Sequence, residues 1–486
     1  MKNLIFILVT LIFLVASCKQ KDADKDLALI DKIENSLLPT VIIEGDSIET
    51  YNIHERMEYY KVPAVSIAFI NDGRIKWARA YGYLTADSIN PANENTLFQA
   101  ASISKPIAAM AALHLVEEGR LGLDDNVNMY LKDWQVEENE YTANEKVTLR
   151  RILSHSAGLT VHGFAGYAAS DTLPDIMQVL NGETPANSGR IYPDTIPGSL
   201  YRYSGGGYTV MQKMITDITE MDFPDLLEKY ILSVIGMTNS TYQQPLPVEL
   251  EKNAAAGYRT DGVMVEGRWH TYPEMAAAGL WTTPTDLLKY ALEVKNSLKG
   301  ESNNIISEGM TAQMLTPQIN SHGLGPGLGG EGDSLRFAHG GANEGYRCQL
   351  MAFAQLGPGI AIMANSDNGD QLISEIMRSF SHVYNWTVYK PDKKIIIDPD
   401  QIDLTIFQGE YVFYWQGQEM VLEISAAEDH LEAVQLWERF DFDMYPEDEL
   451  LFFNKEDGAS FEFITDESGE ITEVIIQDQY NFKKRQ

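Results

Sequence analysis

The alternation of hydrophobic and polar positions predicts strands at both ends of residues 27–390 and helices between them. Residues 64–70 and 74–82 are rich in β-forming side chains and flank an Asn-Asp-Gly turn, which predicts a hairpin. Further strands are predicted at residues 334–340, 346–355 and 359–364, and a helix follows at about residues 371–384. We therefore expect an α+β fold in which one antiparallel sheet is covered by helices and carries a helical insert.

The character of the chain changes after residues 391–403, a charged, proline-containing segment that we interpret as a linker. Short segments of alternating polarity then follow one another to the C-terminus. This spacing predicts a small all-β barrel or sandwich domain over residues 404–486. That region has no cluster of Ser, His, Lys or Cys in its sequence, so we expect it to serve in packing, shielding or recognition.

Residues 1–17 combine a basic start with an apolar segment, which predicts an export signal rather than a membrane-spanning helix. The small residues just before Cys18 resemble the bacterial lipobox, in which the cysteine is acylated and becomes the new N-terminus. We therefore expect a lipid anchor at Cys18, a tether over residues 18–26, and a place in the bacterial cell envelope facing the periplasm or the cell surface. The alternative is a plain signal peptide in which Cys18 has no role.

Composition and charge limit the partners and the sources of stability. The chain has 486 residues, of which 44% are hydrophobic, enough for two folded units. Its formal net charge of −33 argues against binding to nucleic acid or to an anionic lipid surface. If Cys18 is lipidated, Cys348 is left as the free thiol of the two cysteines, and no disulfide can form within the chain. Cys348 precedes an apolar run and is expected to be buried.

The first candidate for chemistry lies at the start of an alanine-rich helix predicted from about residue 102 to residue 118, with Gly119 at its end. Ser102 and Lys105 are three residues apart and share a helix face. A desolvated lysine can take the proton of a serine hydroxyl, which is otherwise a poor nucleophile. The S-x-x-K pattern is weak by itself, because a chain of this length contains about one by chance.

Two further elements follow downstream. Tyr203 lies in the segment YRYSGGGY, where a tyrosine on a glycine-supported loop either moves protons or packs in a turn. His339, Gly340 and Gly341 follow a strand-like run, where glycines let a substrate backbone lie against a strand edge. An ordinary hairpin turn is the alternative for this segment. The residues alone leave both interpretations open for each element.

In this order, the three elements resemble the motifs of the serine β-lactamase-like, penicillin-binding superfamily, which includes class C β-lactamases, D-alanyl-D-alanine carboxypeptidases and related esterases. That family orders S-x-x-K, then Y-x-N, then K-T-G or H-T-G on the substrate-binding strand. Further matches extend the resemblance from about residue 46 to residue 385, and they are KVP at 61–63, LSHSAGL at 153–159, AAGLWTT at 277–283 and IMANSD at 362–367. The resemblance implies the β-lactamase/transpeptidase fold.

Carried over residue by residue, the resemblance implies that Ser102 attacks a carbonyl and forms an acyl-enzyme, while Lys105 and Tyr203 move protons. It also implies an oxyanion hole formed by the backbone N–H groups of Ser102 and Ala342. His339 would take the place of the strand lysine or histidine that helps to position the substrate. These roles come from the family and are expectations for this chain.

Two departures from the family pattern bear on the substrate. Gly205 stands where many members have an asparagine that holds the amide of the substrate. Gly340 stands where they have a hydroxyl residue that helps the strand lysine to bind a substrate carboxylate. Efficient β-lactam turnover is therefore not expected. The predicted substrate-binding positions are His339, Gly340, Gly341 and Gly205.

The sequence leaves three functions open: a hydrolase of small esters or amides, a D-stereospecific carboxypeptidase or aminopeptidase (or weak β-lactamase) acting on cell-wall-like peptides, and a non-catalytic surface protein with the same fold. No cofactor or metal is expected, because H-E-x-x-H and cysteine pairs are missing and the nine histidines are scattered. His155 and His162 either line the cleft or satisfy loop hydrogen bonds. The oligomeric state is not predicted.

Overall fold

The computed structural model describes residues 26–485 except for residues 88, 356, 416 and 438. The predicted export signal, the lipidation site Cys18 and nearly all of the tether lie outside the described residues. None of the described helices has the length and apolar character that crossing a membrane requires. By its contacts the chain divides into two compact units, His54–Ile373 and residues 26–53 together with 374–485. The first unit carries all the predicted catalytic and substrate-binding residues.

Helices dominate the middle of the chain, and strands dominate its C-terminal part. The helices are α1 (26–34), α2 (Ile53–Tyr59), α3 (Ser104–Glu117), α4 (Leu149–Leu153), α5 (Ile176–Asn181), α6 (Gly205–Thr219), α7 (Phe223–Leu227), α8 (Ser233–Ile235), α9 (Val248–Glu251), α10 (Met275–Ala278), α11 (Pro284–Leu298), α12 (Glu308–Met314) and α13 (Gly369–Tyr384). The strands are β1 (Val41–Ile43), β2 (Ala64–Asn71), β3 (Arg74–Gly82), β4 (Phe98–Gln99), β5 (Trp281–Thr282), β6 (Gly327–Gly329), β7 (Arg336–Asn343), β8 (Tyr346–Phe353), β9 (Gly359–Ala364), β10 (Asp392–Lys394), β11 (Gly409–Trp415), β12 (Gln418–Ala426), β13 (Leu431–Gln435), β14 (Phe440–Pro446), β15 (Leu451–Phe453), β16 (Ser460–Thr465), β17 (Ile471–Ile476) and β18 (Tyr480–Lys484).

The first unit is built on a six-stranded antiparallel sheet with the strand order β3-β2-β9-β8-β7-β6. The predicted hairpin joins β2 to β3, and positive φ angles at Asp72 (51°) and Gly73 (71°) form the tight turn that its sequence favours. The inner strands β2 and β9 are buried along almost their whole length, in agreement with their unbroken apolar runs. The α+β class predicted from the sequence is confirmed.

The alanine-rich helix α3 runs through the interior of the first unit. It follows a 3₁₀ turn at Ala101–Ile103, and 11 of its 14 residues are buried. Its small side chains let neighbouring segments pack closely around it. Gly119, with a φ of 71°, lies just beyond its end, as the sequence predicted. Ser102 therefore lies in the 3₁₀ turn ahead of the α-helix, whereas the sequence placed it in the first α-helical turn.

The second unit contains a closed antiparallel barrel of eight strands, β11 to β18, arranged in chain order. Side chains alternate along its strands, since Leu422 and Ile424 are buried while Glu423 between them is exposed. Aromatic rings contribute much of its core, Phe452 and Phe463 among them. The sequence prediction of a small β barrel or sandwich is confirmed, and the fold is the barrel.

The segment that we interpreted as a linker is partly regular. Within residues 391–403, the strand β10 pairs in parallel with β1, and Pro399–Gln401 form a 3₁₀ turn. The ammonium group of Lys394 lies 2.6 Å from the carboxylate of Glu447. The partner of β10 lies far away in the chain, so no local pattern indicates this pairing.

Candidate active site

Ser102 lies in a 3₁₀ turn whose backbone is held by several hydrogen bonds. The Ser104 hydroxyl donates to the Ala101 carbonyl (2.6 Å) and accepts from the Leu280 N–H (3.0 Å), and the Leu280 carbonyl accepts from the Ala100 N–H (2.8 Å). Ala101 has a φ of 48°, a left-handed conformation that costs a non-glycine residue about 1–2 kcal/mol. The surrounding contacts thus hold Ser102, which is partly exposed, in one defined position.

Lys105 is buried beside Ser102 and brings an amine to its hydroxyl. The residue is only 2% exposed, and its Nζ lies 3.0 Å from Oγ of Ser102 and 2.8 Å from the carbonyl oxygen of Ala277. Burial lowers the pKa of Lys105 to about 7. A substantial fraction of the molecules therefore carries an uncharged amine near neutral pH, and this amine can accept the serine proton.

The pH dependence of ester hydrolysis should report this amine. Because only the uncharged form of Lys105 accepts a proton, we expect kcat/KM to rise with pH between about pH 6 and pH 8 and then to level off. The profile of an activated ester, corrected for hydrolysis in buffer alone, measures this. A profile that is flat or falls across this range would contradict the assignment.

Tyr203 lies in the segment before α6, and its side chain is close to Lys105. Nζ of Lys105 lies 4.9 Å from the centre of its ring, and the Ser102 side chain is near enough to affect the pKa of its phenol. Burial raises the pKa of the Tyr203 phenol well above its usual value, and the interaction with Ser102 offsets only part of this rise. The phenol is therefore neutral near pH 7 and can donate a proton. The structure brings together all three side chains of the predicted catalytic group.

The predicted substrate strand β7 has an open edge in its second half. Among the described residues, the pairing of β6 with β7 covers Arg336, Phe337 and Ala338 and ends there. His339 and the residues after it pair with β8 on the other side. An extended substrate segment can add to this open edge through main-chain hydrogen bonds.

Gly341 allows β7 to touch the turn that carries Ser102. A Cβ at this position would lie 2.3 Å from the carbonyl oxygen of Ala100 and 2.4 Å from Sγ of Cys348. Any side chain there would push the strand away from the turn. Ala342, the next residue of β7, is exposed, and its role in the oxyanion hole stays a prediction.

His339 lines the site as a neutral imidazole. Its ring centre lies 6.3 Å from that of Tyr203, and its Nδ1 lies 2.6 Å from the carbonyl oxygen of Gly340. Burial, helped by the nearby positive charge of Lys105, lowers the pKa of His339. A Cβ at Gly340 would lie 3.4 Å from the side chain of Gln349, so a hydroxyl residue would fit at this position. The structure thus shows no steric reason for the missing hydroxyl.

At Gly205, by contrast, the surroundings are tight. It begins α6, where the Ser204 hydroxyl caps the helix by accepting from the Gly207 N–H at 2.9 Å. A Cβ at Gly205 would lie 3.0 Å from the ring of Phe164 and 3.2 Å from the carbonyl oxygen of His162. A side chain at this position would therefore crowd the Phe164 ring and the His162 carbonyl at its first atom.

Introduction of the family asparagine should accordingly destabilise the protein. We expect Gly205→Asn to lower the free energy of unfolding by roughly 1–3 kcal/mol through overpacking against the Phe164 ring. The double variant Gly205→Asn/Phe164→Ala should recover part of this loss, and Phe164→Ala alone is the control. Denaturant titrations measure all three variants. A Gly205→Asn variant as stable as the wild type would contradict the packing argument.

Two groups at the site were given no role by the sequence, although Ala277 lies in the matching segment AAGLWTT at 277–283. Ala277 acts through its backbone carbonyl, which binds the Lys105 amine, and a side-chain pattern cannot reveal it. Phe164 is a lone aromatic residue in a loop and becomes significant only through its contact with Gly205. Both depend on segments that are distant from Ser102 in the chain.

The sequence left two roles open for His155 and His162. The His155 ring stacks on that of Tyr203 with 4.1 Å between centres, and its Nδ1 accepts from the Ser204 N–H at 3.1 Å. His162 is exposed, and its Nδ1 lies 3.1 Å from the carbonyl oxygen of Tyr203. His155 therefore both contacts the predicted catalytic group and satisfies a loop hydrogen bond.

The remaining candidates for chemistry are structural. Cys348 is buried, as the sequence predicted, and its Sγ lies 3.1 Å from the carbonyl oxygen of Ala100. Burial raises the pKa of the Cys348 thiol, so it stays protonated. Within the described part of the chain, no three side chains of His, Cys, Asp and Glu are grouped so that they could hold a metal ion.

Comparison with known proteins places these features in a family. The sequence model of the β-lactamase family matches residues 51–378, more than half of the chain. Protein flp of Staphylococcus aureus (strain N315) is 25% identical over 233 residues, which are 48% of this chain and 44% of flp. The chain thus spans less than half of the length of that relative.

Two solved structures share the fold. The octameric penicillin-binding protein homologue from Pyrococcus abyssi has a TM-score of 0.61 and 23% identity, over 89% of this chain and 98% of its own. The D-amino acid amidase from Ochrobactrum anthropi SV3 has a TM-score of 0.56 and 19% identity, over 74% of this chain and 99% of its own. Together with the match to the family model, this fold shows that the chain belongs to the β-lactamase family, whose members are serine hydrolases.

Proposed function

We propose that this protein is a serine hydrolase that forms an acyl-enzyme on Ser102. The observation that carries the proposal is the 3.0 Å distance between Oγ of Ser102 and Nζ of Lys105, in a place where burial lowers the pKa of the lysine to about 7. A fully charged lysine could not accept the serine proton, and a distant lysine could not reach it. Both requirements are met here.

In the first step, Oγ of Ser102 bonds to the carbonyl carbon of the substrate while its proton passes to Nζ of Lys105. The carbonyl electron pair moves onto oxygen, where the N–H groups of Ser102 and Ala342 stabilise the negative charge. As the tetrahedral intermediate collapses, the leaving alkoxide or amine takes a proton from Tyr203, which regains one from Lys105. Water then attacks the acyl-enzyme, gives its proton to the amine and displaces the serine, which is reprotonated.

The substrates that we propose are small esters or amides. His339 is neutral, Gly340 has no hydroxyl, and Gly205 has no side-chain amide, so the site lacks the groups that in the family hold a substrate carboxylate and the amide bound by the asparagine. The alternative within the enzyme class is a D-stereospecific carboxypeptidase or aminopeptidase, or a weak β-lactamase, acting on cell-wall-like peptides, and the fold shared with a D-amino acid amidase keeps it open. A non-catalytic surface protein is disfavoured by the close approach of serine and lysine.

We also propose that a lipid on Cys18 holds the protein in the bacterial cell envelope, facing the periplasm or the cell surface. The support is the succession of a basic start, an apolar segment and small residues directly before this cysteine. Recovery of the protein in the membrane fraction, and its release by Cys18→Ser, test this part of the proposal. Membrane recovery that Cys18→Ser leaves unchanged would contradict it.

A fluorophosphonate probe tests the catalytic proposal. The intact protein should gain one adduct, and peptide mass spectrometry should place it on Ser102. Ser66→Ala is the control, because it makes the same substitution at a buried serine, 1% exposed, that lies on β2 outside the site. An adduct on another residue, or no adduct, would overturn the proposal. Comparison of an activated ester with a D-alanyl-D-alanine peptide then separates the two enzymatic alternatives.

A further inference from the structure

His155 lies just after α4 in a backbone conformation that is unusual for histidine. Its φ is 56°, in the left-handed region where glycine and asparagine are the common residues after a helix. The residue is 1% exposed, so its polar ring is enclosed by the protein. A strained and buried polar residue persists where surrounding contacts fix it, and these contacts show what it holds in place.

His155 holds the segment 202–204 by three contacts. Its carbonyl accepts from the Arg202 N–H at 2.7 Å, and its Nδ1 accepts from the Ser204 N–H at 3.1 Å. Its ring stacks on the ring of Tyr203, with 4.1 Å between centres and 29° between planes. Tyr203 thus lies between two hydrogen-bonded residues, and its own ring is stacked on His155. It cannot shift or tilt without the loss of one of these contacts.

The ring of His155 is itself supported by His322. The two ring centres are 4.9 Å apart in an edge-to-face arrangement. A backbone N–H can only donate, so the proton of the His155 ring is on Nε2. Nε2 of His322 is buried and has no hydrogen-bond partner among the described residues.

Neither imidazole brings a charge to the site near neutral pH. Burial lowers the pKa of His155 well below its ordinary value, and it lowers the pKa of His322 to about 4. The pair therefore acts through shape and hydrogen bonds.

We propose that His155 is a positioning residue of this site, whose ring and two hydrogen bonds hold the phenol of Tyr203 against Ser102 and Lys105. The inference rests on the proposed function, because it assigns the placement of a proton-carrying group. Misplacement of a reacting group by about 1 Å can cost on the order of 100-fold in rate. Among the described residues, His155 forms no hydrogen bond with Ser102 or Lys105, so it acts through Tyr203.

Two substitutions separate positioning from folding. His155→Gly suits the backbone at a φ of 56° and removes both the ring and Nδ1. We expect it to lower kcat for an activated ester by about 30-fold or more, with KM changed by less than about twofold. His155→Asn also tolerates this backbone conformation, and its side-chain oxygen can accept from the Ser204 N–H. We expect it to regain part of the lost rate and to stay about fivefold below the wild type, because the ring is still missing.

His114→Asn is the matched control. His114 lies on α3 as a partly buried histidine, and its Nδ1 is 2.7 Å from the carbonyl oxygen of Ile305, away from the site. This variant should keep the wild-type kcat even if its melting temperature falls. A loss of kcat in His155→Gly at an unchanged KM, with partial rescue by asparagine, is therefore not a general effect of removing a histidine.

The outcomes distinguish the inference from the function on which it rests. If wild-type protein labels at Ser102 but His155→Gly keeps its kcat, the inference fails and the proposed function stands. If wild-type protein neither labels nor turns over an ester, both fail. Should the glycine variant not fold, the asparagine variant decides, and a wild-type kcat there would overturn the role of the ring.

Discussion

Replacement of Ser102 by alanine is expected to abolish hydrolysis of an activated ester, with a loss in kcat on the order of 10⁴-fold or more. No neighbouring hydroxyl can substitute for it. Ser104 is fully buried, and its hydroxyl donates to the carbonyl of Ala101 at 2.6 Å. The phenol of Tyr203 stays protonated, because burial raises its pKa. Initial rates of release of p-nitrophenol, compared with those in buffer alone, measure the effect.

The fold should survive this substitution. The turn at Ser102 is held by the Ser104 hydroxyl and by backbone groups, none of which belongs to the Ser102 side chain. Far-ultraviolet circular dichroism and the melting temperature should therefore stay close to those of the wild type, and Ser66→Ala should keep full activity. Substantial turnover by a pure, folded Ser102→Ala protein would contradict the mechanism.

Replacement of Lys105 by methionine is expected to lower kcat by about 10³-fold, within the range that general acid–base groups contribute. The free energy of unfolding, in contrast, should increase. Burial lowers the pKa of this lysine from 10.5 to about 7, so the unfolded chain binds the proton more tightly than the folded protein does. The buried amine therefore destabilises the fold at neutral pH, and an apolar side chain of similar size relieves this.

The pH dependence of stability gives a second test of the lysine. The destabilisation is complete below about pH 7, shrinks as pH rises, and vanishes above about pH 10.5. The melting temperature of Lys105→Met should thus exceed that of the wild type most clearly at pH 7 and below. Lys105→Arg is the control, since it keeps a charge that is not lost at these pH values and should be inactive without a gain in stability. Near wild-type kcat in the methionine variant would refute the proposed role of the lysine.

Part of the site could be predicted because its residues are close together in the sequence. Ser102 and Lys105 are three residues apart, so helical geometry alone predicts their contact, and the observed 3₁₀ turn does not disturb it. Tyr203 lies about one hundred residues further on, and no local rule brings it to the same place. Its assignment depended on the order of the motifs in a known family.

What could not be predicted depends on contacts between distant segments. The parallel pairing of β1 with β10 has no periodic signature, so its second strand was interpreted as a linker. The ring of Phe164 and the carbonyl of Ala277 look ordinary in the sequence, whether or not they touch the site. The barrel, in contrast, could be predicted as all-β from the alternation of polar and apolar side chains along its strands. That alternation did not show whether the sheet would close.

The burial of α3 in the core limits how far this helix can move. Because most of its residues lie inside the core, we expect the backbone amides of this helix to be among those that exchange hydrogen with solvent most slowly. The helix that carries the amine of Lys105 therefore has little freedom of its own during turnover. Any conformational adaptation to substrates of different size must come from the peripheral loops, and natural variation in specificity is expected to accumulate there rather than in the helix.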